Sequence, residues 1–226
     1  MNLGFRIKAN MERVNPSLVS RAAALPVANI GDVAFRMQAM RGGFRGYGGR
    51  RTVAGPALTV RARAGDNLML HRALDLAEPG DVVVCDGGGE LGIALMGDIM
   101  ARHAVSRGIA AIIVDGAVRD IAELQQLDLG VWARGATPAG PFKEGPGEVG
   151  YPTSCGGIVV MPGDLVAADG DGIVVIPRAD AGTIVAAAER HAEKEARSIA
   201  AIAEGRAERG WVEDTLRSKG CPTCAS

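Results

Sequence analysis

The chain has 226 residues, 47% hydrophobic and 23% charged, a composition that excludes wholesale disorder. Its 25 Lys+Arg against 26 Asp+Glu leave a net charge of −1, so no general basic field exists for nucleic acid or an anionic membrane. With 32 glycines and only 4% aromatic residues, it suits tight turns and backbone-lined small-molecule sites better than an aromatic interaction surface.

Residues 1–13 mix charges every few positions and lack the apolar stretch of a signal peptide. No eighteen apolar residues run together, so no membrane helix is expected. Asn15-Pro16, followed by Leu18, Val19 and an alanine run, predicts a short capped helix ending before Pro26. Asn29 is placed to cap a second, from Ile30 to Met40. Arg41 to Arg51 reads as a mobile surface loop, too short and isolated for RNA binding despite its arginines and two aromatics. Gly55 to Ala64 alternates as a strand does.

Pro79-Gly80 predicts a turn, Asp81 to Cys85 a buried strand and Asp86 to Gly89 a glycine-rich loop. A helix from about Gly97 to Arg107 and a strand from Ile109 to Val114 complete a β-loop-α-β unit with parallel strands. Leu129 to Trp132 reads as a third strand, followed by short ones at Gly157 to Met161, Leu165 to Ala168 and Ile173 to Ile176. Pro162-Gly163-Asp164 repeats the turn residues of Pro79-Gly80-Asp81. Asp180 is placed to cap a final helix whose stripe is Val185, Ala188, Ala192, Ala196, Ile199 and Ala203. Without a Pro-rich or Ser-rich linker, residues 1–226 are expected to form one α/β domain. Its N-terminal helices lie at about 15–40 and its C-terminal helix plus tail at about 180–226.

Few residues offer covalent chemistry. Lys8, Lys143, Lys194 and Lys219 are the only lysines and none ends a clear buried strand, so a Schiff-base site is not indicated. His71, His103 and His191 lie far apart in sequence, and there is no GxSxG. Cys221-Pro-Thr-Cys224 has metal spacing without a second pair, and reads as a tail. Cysteine usage suits a reduced, cytoplasmic protein. Gly87-Gly88-Gly89-Glu90-Leu91-Gly92 satisfies GxGxxG, but the flanking elements do not continue as a dinucleotide-binding fold.

The segment Asp115-Gly-Ala-Val-Arg119-Asp120 falls where α/β folds bind ligands, beside a helix starting at Gly97-Asp98-Ile99-Met100. Free amides of Ile99 and Met100 suit a carboxylate, Arg119 offers a two-point clamp, and Asp120 alone suits Mg²⁺, which retains most of its waters. A plain surface Arg-Asp pair is the alternative.

Gly97-Asp98-Ile99-Met100 through Val114-Asp115-Gly116-Ala117-Val118-Arg119-Asp120 resembles the RraA-like family. Gly55-Pro56-Ala57-Leu58-Thr59-Val60, Pro162-Gly163-Asp164 and Asp169 to Pro177 resemble its other signposts. The resemblance covers residues 15–205 and implies a swivelling β/β/α fold, assembled as homotrimers or homohexamers with sites between subunits. It implies a class II pyruvate aldolase acting on 4-hydroxy-4-methyl-2-oxoglutarate or 4-carboxy-4-hydroxy-2-oxoadipate. Oxaloacetate decarboxylation would accompany it. By resemblance, Gly97, Asp98, Ile99 and Met100 bind the pyruvyl carboxylate through the backbone, Arg119 binds the keto oxygen, and Asp120 holds Mg²⁺ or Mn²⁺. Glu195 from a neighbouring subunit, with Glu193 as its rival, supplies a further carboxylate. The same family includes non-catalytic regulators of ribonuclease E, which carry a different residue where the metal-binding Asp stands.

Overall fold

A computed structural model describes residues 2–41 and 43–222 of the chain. Residues 1–189 form one compact unit and residues 190–226 a second.

The elements of the first unit run in chain order as β1 (Phe5–Ile7), α1 (Pro16–Ala23), α2 (Val27–Val33), β2 (Arg45–Gly46), β3 (Val53–Ala62) and α3 (Leu68–Leu76). They continue as β4 (Val82–Met96), α4 (Asp98–Ser106), β5 (Ala111–Val118), α5 (Ile121–Leu124) and β6 (Gly130–Ala136). Then come β7 (Gly147–Val149), β8 (Thr153–Cys155), β9 (Ile158–Val160), β10 (Leu165–Ala168), β11 (Ile173–Ile176) and the start of α6 (Ala181–Ala203). The rest of α6 and α7 (Gly210–Ser218) belong to the second unit.

Strands β3, β4, β5 and β6 are parallel neighbours in the sheet order β1-β7-β3-β4-β5-β6-β2, and β10 joins β3 antiparallel. Alternate residues of these strands enter different cores. Leu58, Val60, Val83, Cys85, Ile112 and Val114 pack with Leu70, Leu74, Met100 and Ala104 of the helices. Ala57, Val82, Val84 and Ile113 pack instead with Val160, Val166 and Val175 of the strands on the other side. The result is helices, sheet and strands in layers. A sheet covered on both faces needs apolar residues at every position, which is why VVVC and AIIV are unbroken runs.

Strands β10 and β11 coincide with the expected segments, and α1 is capped by the Asn15 side chain, which accepts the Ser17 amide at 2.9 Å. The repeated Pro-Gly-Asp turns share one chemistry. Asp81 and Asp164 are both buried and accept the amide three residues back, from Glu78 at 2.8 Å and Met161 at 2.9 Å. Gly80 and Gly163 adopt φ of 89° and 88°, which favours glycine at the third turn position. Each turn delivers a strand to one side of β3.

Four expectations are corrected. The second helix starts at Val27, whose amide donates to Asp169 Oδ2 at 3.0 Å; Asn29 is buried within it. It ends at Val33, because Phe35 and Arg36 turn left-handed at φ 55° and 61°. The segment 41–51 is not a free loop: β2 pairs with β6, and Arg50 clamps Asp128 through two bonds of 2.8 and 2.7 Å. Residues 86–89 do not leave the sheet; β4 bulges there and runs on to Met96. That also removes the dinucleotide fingerprint, since its glycines lie within a strand and open no helix. Finally, β5 extends to Val118, so Asp115 lies inside the sheet rather than after it, buried and paired with Arg134.

In the second unit the predicted stripe is only partly covered. Val185 and Ala188, from the first unit, are buried, whereas Ala196, Ile199 and Ala203 are exposed. Cys221 is exposed, and Cys224 lies outside the described residues. Among the described residues no helix is long and apolar enough to cross a membrane.

Candidate functional site

Two adjacent parallel strands end side by side. Met96 of β4 pairs with Val118 of β5, and the Arg119 amide donates to the Met96 carbonyl at 3.0 Å. Helix α4 departs from the first strand end and Arg119-Asp120 from the second. Asp120 adopts a left-handed conformation with φ 59° and ψ 46°. For a residue with a side chain that costs on the order of 1 kcal/mol. In this conformation its Oδ2 accepts the Asp98 amide at 3.0 Å, one of the four donors the start of a helix leaves unpaired. The Arg119 Nε lies 3.5 Å from the same oxygen, and both side chains are 39% exposed.

Gly97 makes this approach possible. A Cβ there would collide with the Asp120 carboxylate and lie 2.8 Å from Arg119 Cγ. The amides of Ile99 and Met100 have no acceptor among the described residues, so they and the positive end of α4 face the space beside Arg119. The Asp98 carboxylate accepts from Arg102 through Oδ2 at 2.9 Å, and its Oδ1 is buried without a partner among the described residues. The Asp98 amide is already taken by Asp120, so the amides of Ile99 and Met100 are what this helix start offers an anion.

The cleft has a volume of about 180 Å³ and is lined by Gly97, Ile99, Met100, Arg119 and Asp120, together with Asn67, His71 and Lys143. The last three were not anticipated. Asn67 is buried; its Nδ2 donates to the Leu95 carbonyl at 2.9 Å and touches Met100 Sδ at 3.2 Å, fixing the start of α4. Its Oδ1 is buried without a donor among the described residues. His71 sits one turn into α3, and burial together with the charge of Lys143 lowers its pKa. Lys143, set aside for lack of a preceding strand, reaches the cleft from the 137–146 segment. The local signal for α3 was its apolar spacing, Met69, Leu70, Ala73 and Leu74; Lys143 had none.

As a cation site, the cleft offers one carboxylate. Asp120 Oδ1 accepts no hydrogen bond among the described residues, and no cluster of three His, Cys, Asp or Glu is found among them. This donor set fits a hard, largely hydrated divalent ion whose other ligands are water and substrate, and does not fit zinc. Glu193 and Glu195 lie on α6 in the second unit, where Glu195 is 3.6 Å from His191. His103 pairs with Asp75 at 3.2 Å outside the cleft lining.

The family model described as RraA-like, Aldolase/RraA, matches residues 27–175. A Thermus thermophilus protein named 4-hydroxy-4-methyl-2-oxoglutarate aldolase is 40% identical over 62% of this chain and 84% of its own length. A Halalkalibacterium halodurans protein named "Putative 4-hydroxy-4-methyl-2-oxoglutarate aldolase" is 39% identical over 73% of this chain and 79% of its own. A Thermus structure described as the RNA-processing inhibitor RraA is 38% identical, with a TM-score of 0.63 over 67% of this chain and 92% of that one.

Proposed function

The chain belongs to the Aldolase/RraA family, and on that premise we propose a divalent-metal-dependent pyruvate aldolase. It cleaves a 4-hydroxy-2-oxo di- or tricarboxylic acid to release pyruvate, with oxaloacetate decarboxylation as a side activity. The observation that carries this reading is the Arg119-Asp120 pair folded over Gly97 at the start of α4. A bare surface ion pair needs no left-handed Asp, and no glycine beneath it.

In this reading the amides of Ile99 and Met100 hold the pyruvyl carboxylate, aided by the helix dipole. The Arg119 guanidinium donates to the 2-oxo oxygen and stabilises the negative charge that develops there as the C3–C4 bond breaks. Asp120 would hold Mg²⁺ or Mn²⁺, which when bound would supply Lewis-acid stabilisation of the developing negative charge. As that bond breaks, the 4-hydroxyl proton passes to water held near Arg119, and that water returns a proton to C3 of the enolate, giving pyruvate. The reading further places the protein in the cytoplasm as a homotrimer or homohexamer in which Glu195 completes a neighbour's site; the exposed Ile199 and Ile202 of α6 support self-association.

Pyruvate release from 4-hydroxy-4-methyl-2-oxoglutarate, 4-carboxy-4-hydroxy-2-oxoadipate and oxaloacetate tests the reading. EDTA should abolish release and Mg²⁺ or Mn²⁺ restore it. Arg119→Ala should lower turnover on the order of 10²–10³-fold, with little rescue by Arg119→Lys. Asp120→Asn should raise the metal concentration required. A borohydride-trapped substrate adduct would replace the mechanism with Schiff-base chemistry. Ribonuclease E binding without any pyruvate release would favour the regulator reading, which the name of the Thermus structure supports.

A further inference from the structure

The cleft has a second cationic wall. Lys143 stands on a segment held down on both sides. Before it, the Phe142 amide donates to the Gly65 carbonyl at 2.9 Å and the Phe142 carbonyl accepts from Asn67 at 3.0 Å. After it, the amides of Glu144 and Gly145 converge on Asp66 Oδ2 at 2.6 and 2.9 Å. Asp66 is 1% exposed, and its other oxygen accepts the Leu68 amide at 3.0 Å at the start of α3. One buried carboxylate thus locks the Lys143 backbone to the helix that carries His71.

That anchoring has no counterpart at the end of the side chain. Among the described residues no carboxylate lies within 4.0 Å of Lys143, and the His71 ring makes no hydrogen bond. Among the described residues the only acid lining the cleft is Asp120, whose Oδ2 is taken up by the Asp98 amide and Arg119. An ammonium carried on an anchored backbone, with an imidazole beside it and a helix start with free amides across a small cleft, is arranged for an anion at each end.

We propose that Lys143, with His71 beside it, binds the distal carboxylate of a 2-oxo dicarboxylic acid whose 2-oxo acid end lies against α4 and Arg119. Lys143 is thereby the residue that selects dicarboxylic over monocarboxylic substrates. The proposal rests on the aldolase reading for the orientation of the substrate, but its test does not need turnover.

Two non-cleavable ligands of equal chain length separate the two. 2-Oxoglutarate has the distal carboxylate; 2-oxopentanoate has a methyl group there. Calorimetric titration in the presence of Mg²⁺ should show the wild-type chain preferring 2-oxoglutarate on the order of 10-fold, the worth of one charge-assisted hydrogen bond. Lys143→Met should erase that preference by weakening 2-oxoglutarate alone, and Lys143→Arg should restore most of it. A preference that survives in Lys143→Met would overturn the proposal, and so would an equal loss for both ligands. If the preference behaves as stated but no 4-hydroxy-2-oxo acid yields pyruvate, the subsite stands and the aldolase reading fails.

Discussion

At the scale of single residues, the site depends on one missing side chain. Gly97 is extended, so its role is space rather than backbone freedom: the Asp120 carboxylate and Arg119 Cγ occupy the volume a methyl group would need. Gly97→Ala should leave the fold intact, since the strain falls on half-exposed side chains, yet displace both functional groups by about an ångström. Misplacement on that scale costs roughly 10²-fold in turnover. Circular dichroism alongside the pyruvate assay checks this; an active, folded Gly97→Ala would remove the pair from the chemistry. His71 reports on the other wall. Burial is the main cause of its lowered pKa, and Lys143 adds to it, while Asp75 opposes and His103 assists weakly. Its NMR titration should therefore fall below the ordinary 6.5, move up in Lys143→Met, and move up when 2-oxoglutarate binds. The sign for stability follows. The unfolded chain takes up a proton near 6.5 that the folded ring accepts only at lower pH, so this contribution is lost as pH falls through that window.

At the scale of elements, legibility tracked how local the cause of each element is. The strands β10 and β11, the start of β4 and the helix α1 carry their own signals in turn residues, apolar runs and a cap, and all were readable. Strands β1, β2 and β7 have two or three residues each and exist only because a partner lies alongside, Phe5 against Gly147 and Arg45 against Ala133. Nothing near them in sequence announces that. The early end of α2 was missed because two consecutive non-glycine residues in the left-handed region carry no compositional mark. The same distinction divides the site. Arg119, Asp120 and Gly97 to Met100 follow two buried strands and belong to a family motif. Asn67, His71 and Lys143 come from a helix start and an irregular segment, brought to the cleft by Asp66 and a pair of long-range backbone bonds. The residues next to Lys143 carry no mark of the cleft, because the contact that places its segment, Gly145 to Asp66, spans 79 residues.

For the molecule as a whole, the proposed shared site makes a prediction about mixtures. Arg119→Ala and Glu195→Gln should each be nearly inactive as pure oligomers. Coexpressed, they should assemble sites in which an intact Arg119 meets an intact Glu195 from a neighbour, and recover a substantial fraction of wild-type pyruvate release. Recovery absent from a verified hybrid would confine the site to one subunit, as would full activity from a particle of 23.3 kDa by light scattering. The order of the sheet bears on how such a chain is made. Strand β3 lies near the beginning of the sequence, yet two of its partners, β7 and β10, come from residues 147–149 and 165–168. About a hundred residues must leave the ribosome before β3 gains its last neighbour, roughly 5–20 s at ordinary elongation rates. Throughout that interval a ten-residue strand, eight of whose positions end up buried, waits with one edge unpaired. Vectorial synthesis therefore presents this nascent chain to chaperones, or to its sister chains, with its central strand first and that strand's cover last.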